Sequence, residues 1–337
     1  MAEIVLQNLT RTFGATRALD GVSLTVPDGG FMVLLGPTGA GKTTTLRLVA
    51  GLDAPDAGDV RIGGTSVLGR TPADRDVAMV FQQYSLYPHM TVRENLAFPL
   101  RSPLMRWPED RIRARVGEVA EVLRITSKLD SKATRLSGGE MQRVSIGRAL
   151  VRAPRAFLMD EPLSSLDAKL RAELRVELKR IHAELGATFL YVTHDQIEAM
   201  TMATVVGVLD AGRLEQVGTP RQVYEDPVSI TVAARLGSPR INLLPPDAFG
   251  PAPARAARLG LRPESIHVAD EGAPATVRRV ERLGDQTRLH LALGPHEVVS
   301  LAPASTPLAP GCAVALRALA PLWFDEGGHR IQGHAHA

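Results

Sequence analysis

Short, nearly continuous apolar runs alternate with amphipathic stretches from the N-terminus to about residue 235. Four of the runs have the length of buried strands and are bounded by turn signals: FMVLLG (31–36), RAFLMD (155–160), TFLYVTH (188–194) and TVVGVLD (204–210). Residues 109–126 and 167–185 repeat apolar positions with the period of a helix and carry charges on the opposite face. Between about 86 and 153 no convincing strand pattern occurs, which predicts a helical insert. The alternation as a whole predicts an α/β domain.

The pattern changes after residue 237, where prolines and glycines cluster and short alternating runs follow. These runs are LRPESIHVAD, ATVRRVERLGDQTRLHLALG, HEVVSLA and AVALRALAPLWFD. Alternation at period two with frequent turn residues is typical of a small all-β domain, such as an OB-like barrel. We therefore predict an α/β domain over 1–237, with its helical insert at 86–153, and a β domain over 238–337.

Composition and charge narrow the class of protein. A hydrophobic content of 45%, a charged content of 22% and a net charge of +3 are ordinary for a globular protein and show no basic patch for nucleic acid. The single cysteine, Cys312, excludes an internal disulfide. The start, MAEIVLQNLTRTF, has no apolar core of a signal peptide, and no run of about 18 apolar residues is present to span a bilayer. We expect any membrane association to come through another protein.

The segment GPTGAGKT at 36–43 matches the phosphate-loop pattern G-x-x-x-x-G-K-[ST]. It has the required flanks, an apolar strand before it and a helical stretch after it. Its glycines let backbone N–H groups turn toward phosphate oxygens. Lys42 is predicted to reach the β- and γ-phosphates, and the Thr43 hydroxyl to bind Mg²⁺. The motif alone does not distinguish kinases, GTPases, motors and transport ATPases.

Polar residues lie at the ends of two of these apolar runs, and Gln82 follows a further short apolar run, AMVF (78–81), so all are expected at the sheet edge where α/β proteins bind ligands. Asp160 is a candidate to hold Mg²⁺ through water, and Glu161 is a candidate general base for the water that attacks the γ-phosphate. His194 is a candidate to bind the γ-phosphate, and Gln82 to sense the metal and the water. Without the phosphate loop, the two carboxylates would equally fit a solvated turn, and a lone histidine would more often be structural.

A second glycine-rich turn, LSGGEMQR, begins at Leu136. Ser137 and Glu140 have the spacing of a capping box, so a helix is predicted to start here. Its free N–H groups and positive dipole end suit an anion. One nucleotide is not readily held by two helix starts within one chain. A second copy of the chain solves this, with the turn of one protomer closing over the phosphate loop of the other.

The phosphate loop, Gln82, LSGGEMQR, LMDEP, SSLD and the histidine of THD occur in the order found in ATP-binding cassette (ABC) ATPases, which the chain resembles. The longer strings FQQYSLYPHMTVRENLAFPL, FLMDEPLSSLDAKLR, YVTHDQIEAMTMA and LGSPRINLLP are similar to the ATPase subunits of bacterial carbohydrate importers of the maltose and glycerol-3-phosphate type. The resemblance covers residues 3–245 densely. Beyond it, LGLRPESIHV and VERLGDQTRLHLALG resemble the transport-associated OB-like domain of those subunits. The implied fold is a P-loop NTPase with a RecA-like core, an antiparallel β edge and a helical subdomain, followed by the OB-like domain.

The resemblance also implies the binding residues, position by position. Phe13 would stack on adenine, and Asp167 would lie in the loop that crosses the dimer interface. Ser137, Gly138 and Gly139 would face the ATP of the other protomer. The residues around the phosphates and Mg²⁺ would be Gly36, Pro37, Thr38, Gly39, Ala40, Gly41, Lys42, Thr43 and Thr44, with Asp160 and Gln82 at the metal.

The implied partners form a transporter. They are a second ATPase, either a copy of this chain or a sister subunit, two membrane-spanning permeases and, indirectly, an extracytoplasmic solute-binding protein. The chain would lie on the cytoplasmic face of a bacterial inner membrane, with the helical insert, near 84–88, gripping a permease helix. Importers of polyamines, anions or ferric iron are the alternative substrate classes. A soluble ABC protein acting on nucleic acid and a small-molecule kinase are more distant alternatives. The terminal GHRIQGHAHA, with three histidines, is interpreted as a solvated tail.

Overall fold

The computed structural model describes residues 2–103 and 105–331, and its internal contacts divide the chain into two compact units, Met1–Pro220 and Arg221–Ala337. The second unit begins before residue 238 because Ala233 and Ile230, on a short helix, pack in one apolar cluster with Phe324. The domain bounds given above, 1–237 and 238–337, stay a prediction. The last six residues of the histidine-containing tail lie outside the described residues.

The first unit contains ten strands and six α-helices among its described residues. The strands are β1 Ile4–Phe13, β2 Thr16–Val26, β3 Phe31–Leu35, β4 Ala57–Ile62, β5 Thr65–Ser66, β6 Val77–Val80, β7 Ala156–Asp160, β8 Thr188–Thr193, β9 Val205–Asp210 and β10 Arg213–Gly218. The helices are α1 Lys42–Ala50, α2 Val92–Ala97, α3 Glu109–Val122, α4 Gly138–Leu150, α5 Ala168–Leu185 and α6 Gln196–Met202.

Six strands form the central sheet in the order β10-β9-β3-β8-β7-β6, parallel except for β10. The four strands predicted from apolar runs are all in it, and β3, β7 and β8 are buried at every position. Burial on both faces explains why these sequences do not alternate. Because the strands are parallel, the residues that follow β3, β7 and β8 meet at one edge of the sheet.

A second, antiparallel sheet has the order β2-β1-β4-β5. Its inward residues, among them Ile4, Leu6 and Val60, share one apolar cluster with Leu34 of the central sheet and Leu46 of α1. The resemblance implied this antiparallel edge, and the fold confirms it. The cluster clamps α1, the helix that follows the phosphate loop, between the two sheets.

The segment between β6 and β7 contains helices and turns but, among its described residues, no strand, as predicted. α2 and α4 both begin with complete capping boxes, Thr91 with Glu94 and Ser137 with Glu140. N–H groups at the start of each helix are therefore capped by residues of the same segment. The predicted helix start at Ser137 is confirmed.

The chain passes into the second unit through α7 Pro220–Glu225, and the described residues that follow form α8 Ile230–Arg235 and nine strands. The strands are β11 Asn242–Leu244, β12 Arg258–Leu261, β13 Ile266–Ala269, β14 Ala273–Arg282, β15 Gln286–Leu293, β16 His296–Pro303, β17 Ala313–Ala318, β18 Leu322–Phe324 and β19 Arg330–Ile331. They form two antiparallel sheets, β11-β12-β18-β19 and β13-β17-β14-β15-β16, around one apolar core. The buried amide of Asn242 joins the sheets, because it donates to Leu261 O at 3.1 Å and to Val299 O at 2.9 Å. The all-β character predicted for this region is confirmed.

No helix within the described part of the chain combines the length and the apolar character that crossing a bilayer requires.

Candidate functional site

The phosphate loop connects β3 to α1, and two of its glycines are required by close packing. A Cβ on Gly36 would lie 2.2 Å from Leu209 O, and a Cβ on Gly41 would lie 2.5 Å from Ala18 O. Gly41 also has φ +101°, which side chains rarely adopt. Gly39 has φ +83° but open space around it, so only its backbone conformation calls for glycine. The backbone path of the loop therefore requires glycine at positions 36, 39 and 41.

Lys42 is the first residue of α1 and is only 5% exposed. Its ammonium donates to Gly36 O and to Pro37 O, both at 2.9 Å. The same nitrogen lies 3.5 Å from Oε1 of Glu161, across the sheet edge. A buried cation is costly unless it is paired and hydrogen-bonded, and Lys42 meets both conditions inside the curl of the loop.

Asp160 and Glu161 stand at the carboxyl end of β7, as predicted. Asp160 accepts a hydrogen bond from the Thr43 hydroxyl at 2.9 Å. Burial raises the pKa of Asp160, and the bond from Thr43 acts against that rise. Glu161 has φ +43°, an unusual conformation for a residue with a side chain. Such strain is typical of functional sites.

His194 directly follows β8, and its Nδ1 lies 3.0 Å from Oε2 of Glu161. Glu161 thus contacts Lys42 with one carboxylate oxygen and His194 with the other. The structure brings together five of the predicted residues at the edge where β3, β8 and β7 end. They are Lys42 and Thr43 at the start of α1, Asp160 and Glu161 at the end of β7, and His194 after β8.

Gln82 reaches this group through a residue to which the sequence assigned no role. Its amide donates to the Ser164 hydroxyl at 3.3 Å, and Ser164 donates to Glu161 O at 2.9 Å. Tyr84 contacts the neighbouring Ser165 hydroxyl at 3.3 Å. The sequence has two adjacent serines after DEP, Ser164 and Ser165, but no pattern in it marks either serine as a partner of the Gln82 segment. The contact of Gln82 with metal stays a prediction.

Three further predicted positions lie on other elements. Phe13 ends β1 and is 45% exposed, with the Arg11 guanidinium 4.6 Å from its ring centre. Asp167 caps α5, accepting the Leu170 N–H at 3.0 Å. The turn that contains Gly138 and Gly139 begins α4, which packs against α2, α3 and β6. Their roles at a nucleotide stay predictions.

The carboxylate of Glu140 is turned back onto the start of α4. Its Oε2 accepts from the Ser137 N–H at 2.8 Å and from the Ser137 hydroxyl at 3.0 Å, and its Oε1 lies 3.1 Å from the Lys128 ammonium. The Ser137 N–H, followed by Lys128 and the Ser137 hydroxyl, holds the pKa of Glu140 below its usual value. The negative charge is therefore partly neutralised within the chain.

These contacts predict different effects for two substitutions of Glu140. Glutamine can still accept from the Ser137 N–H and loses only a half-exposed ion pair, so Glu140→Gln should change the free energy of unfolding by less than about 1 kcal/mol. Alanine removes the box, and Glu140→Ala should cost about 1 kcal/mol or more. Urea unfolding of the two variants, side by side, measures the difference. Equal losses for both would show that the capping box does not matter.

Comparisons with known proteins agree with this geometry. The family model for ABC transporters matches residues 19–164, and the model for TOBE domains matches residues 259–321. The sn-glycerol-3-phosphate import ATP-binding protein UgpC of Brucella abortus is 48% identical over 310 residues, covering 87% of this chain and 88% of that protein. The protein of the same name from Rhizobium meliloti is 46% identical over 351 residues, covering 98% of this chain and all of its own length.

Solved structures show the same fold. A nucleotide-free ATP-binding cassette from an ABC transporter has a TM-score of 0.58 at 29% identity, covering 65% of this chain and 92% of its own. The cbiO1 protein of Clostridium perfringens, part of the ABC transporter complex cbiONQ, has a TM-score of 0.61 at 27% identity, covering 65% and 89%.

The curled loop around Lys42, beside two carboxylates and a histidine at one sheet edge, defines an ATPase of the ATP-binding cassette class. With the TOBE domain after it and relatives that match nearly its whole length, the chain belongs to the family of ABC transporter ATP-binding subunits of the carbohydrate-importer type. Its ATPase activity powers the import of a carbohydrate, polyol or related solute through a membrane permease. The resemblance drawn from the sequence is confirmed.

Proposed function

We propose that this chain hydrolyses Mg²⁺-bound ATP to drive import of sn-glycerol 3-phosphate or a close polyol phosphate. The observation that carries the hydrolysis is the pair of contacts made by Glu161, to Lys42 at 3.5 Å and to His194 at 3.0 Å. The solute class is supported by the relatives, which are named for import of sn-glycerol 3-phosphate.

The donor set beside the phosphate loop suits Mg²⁺. The Thr43 hydroxyl and the Asp160 carboxylate already touch, at 2.9 Å, and hard oxygen ligands are those that Mg²⁺ prefers. Burial raises the pKa of Asp160, which a nearby cation would reverse. Thr43, Asp160 and Gln82 would hold the ion. When bound, Mg²⁺ neutralises charge on the phosphates and helps to orient them.

Each of these residues would take one role in ATP binding or hydrolysis. Lys42 and the loop N–H groups bind the phosphates, and Phe13 stacks on adenine. Glu161 accepts a proton from the attacking water, whose oxygen bonds to the γ-phosphorus as the bond to ADP breaks. His194 orients the Glu161 carboxylate through its 3.0 Å contact and binds the γ-phosphate.

Two chains would share each ATP. The start of α4, with Ser137, Gly138 and Gly139, lies on the helical segment, whereas the phosphate loop lies between β3 and α1. A second ATPase subunit, this chain or a sister, supplies the α4 turn that closes over the γ-phosphate. Asp167 lies in the loop that crosses between the protomers. Closure and reopening of this dimer would move the permease.

The permease contact is assigned to a groove on the first unit. The groove has a volume of about 260 Å³, and Phe81 and Phe98 on its wall are 40% and 43% exposed. Exposed aromatic side chains in a groove favour an apolar helix of a partner. Binding there would hold the chain on the cytoplasmic face of the inner membrane, where two permeases receive solute from an extracytoplasmic binding protein.

The groove predicts a coupling variant. Phe98→Glu places a charge on its wall and should lower solute uptake by more than about tenfold, a larger effect than on ATP hydrolysis by the purified chain. Val176→Glu is the matched control, because Val176 is 73% exposed on α5 and lies outside the groove. Normal solute uptake in Phe98→Glu would show that the permease does not bind in this groove.

Uptake in cells tests the proposed solute. Deleting the gene for this chain should abolish accumulation of radiolabelled sn-glycerol 3-phosphate, and the wild-type gene should restore it. If the deletion strain accumulates sn-glycerol 3-phosphate normally but loses uptake of a polyamine, iron or an anion, the proposed solute is wrong and the chain serves that other class.

A further inference from the structure

One arginine holds the loop that follows Glu161. Arg171, in the first turn of α5, donates from Nε to Leu163 O at 3.3 Å and from Nη2 to Ser164 O at 3.3 Å. Its Nη2 also donates to Leu166 O at 2.9 Å. The planar guanidinium fork can serve several carbonyls at once, which a lysine ammonium on a flexible stem cannot do in one geometry. The loop 161–167 is thereby fixed to α5.

The other end of the same guanidinium faces the turn that carries His194. Nη1 of Arg171 lies 3.6 Å from Oδ2 of Asp195, the residue after His194. Asp195 is itself held in place, because its Oδ1 accepts the Ile197 N–H at 2.7 Å and its own N–H donates to the Thr193 hydroxyl at 2.9 Å. Arg171 therefore contacts both turns from which the Glu161–His194 pair is built.

These contacts close a ring. Glu161 touches His194, His194 is bonded in sequence to Asp195, Asp195 pairs with Arg171, and Arg171 binds the loop that leads back to Glu161. We propose that Arg171 is a positioning residue for ATP hydrolysis, which fixes the Glu161 loop and the His194 turn relative to each other. The inference rests on the proposed roles of Glu161 and His194.

The expected effect is on turnover more than on binding. Within the described chain, the Arg171 side chain makes its hydrogen bonds and its ion pair to the 163–166 loop and to Asp195, and none to the phosphate loop or α1, so ATP affinity should stay within about twofold. A displacement of about 1 Å in a reacting group costs on the order of 10²-fold in rate. We therefore expect Arg171→Met to lower kcat about 10- to 100-fold with KM little changed. Arg171→Lys should fall between Arg171→Met and the wild type, because one ammonium replaces only part of the fork.

Two further variants make the test specific. Asp195→Asn keeps an oxygen for the Ile197 N–H and removes only the charge toward Arg171, so its loss in kcat should be below about tenfold. Combined with Arg171→Met it should add almost nothing, because the two residues act through one contact. Arg175→Met is the control: Arg175 is one turn further along α5 and has no hydrogen bond or ion pair from its side chain within the described chain.

The experiment measures steady-state hydrolysis of Mg²⁺-ATP by the full chain, binding of a fluorescent ATP analogue, and the thermal midpoint of each variant. Lowered kcat with retained binding in Arg171→Met and Arg171→Lys, but not in Arg175→Met, supports the inference. Wild-type kcat in Arg171→Lys and Asp195→Asn overturns it, as does a loss that only tracks lowered thermal stability. If Arg171→Met does not fold, the lysine and asparagine variants decide. Absence of hydrolysis by the wild type contradicts the proposed function instead.

Discussion

Replacing Glu161 by glutamine is expected to leave a protein that binds ATP but hydrolyses it at least about 100-fold more slowly. Glutamine has nearly the same shape, and its oxygen can still contact Lys42 or His194, so the site keeps its form. It cannot accept a proton from water at neutral pH. The phosphate loop and Thr43 are unchanged, so the loss falls on kcat and not on nucleotide affinity.

The second part of this prediction concerns assembly. If two chains share each ATP, blocked hydrolysis should trap the closed dimer, so that Glu161→Gln with ATP elutes as a dimer in size-exclusion chromatography with light scattering. Glu173→Gln, an exposed glutamate on α5, is the control and should turn over ATP like the wild type. Rapid turnover by Glu161→Gln would remove Glu161 as the base. Slow turnover without a dimer would keep the base and contradict the shared site.

Replacing Lys42 by methionine is expected to weaken ATP binding by about 10- to 100-fold, the loss of one or two hydrogen bonds to a charged group. Methionine fills a similar volume beside the loop. Since Lys42 is a buried cation that donates mainly to neutral carbonyls, its removal also takes away a desolvation cost. The free energy of unfolding should therefore stay near that of the wild type while binding is lost.

Isothermal titration with ATP and urea unfolding of the same preparation separate these two effects. Lys169→Met removes an exposed lysine near the start of α5 and should leave both quantities unchanged. If Lys42→Met binds ATP as tightly as the wild type, Lys42 does not bind the phosphates. A variant that unfolds much more readily would show that Lys42 is mainly structural.

Much of this site could be read from the sequence because its signals are local. The glycines of the phosphate loop, the capping box at Ser137 and the apolar strands each depend on residues a few positions apart. The parallel sheet then places the ends of β3, β7 and β8 at one edge. That is why residues more than a hundred positions apart, such as Thr43 and Asp160, could be predicted to meet, as they do at 2.9 Å.

What the sequence could not provide depends on side-chain conformations across loops. The left-handed backbone conformation of Glu161 could not be predicted, because glycine is the residue that ordinarily indicates such a conformation in a sequence. The connection from Gln82 to Glu161 runs through Ser164, whose hydroxyl has no pattern that marks it in advance. The packing of Ala233, on α8, with Phe324 also has no sequence signal, because the two residues are nearly a hundred positions apart.

The hydrogen bonds that Lys42 makes to Gly36 and Pro37 have a kinetic consequence. These bonds hold the loop in its curved conformation without nucleotide, so ATP does not have to order the loop when it binds. Binding should then be a single fast step whose observed rate rises in proportion to ATP concentration, without the plateau that a slow rearrangement would impose. Lys42 would thus both bind the phosphates and hold the loop in the conformation that binds them.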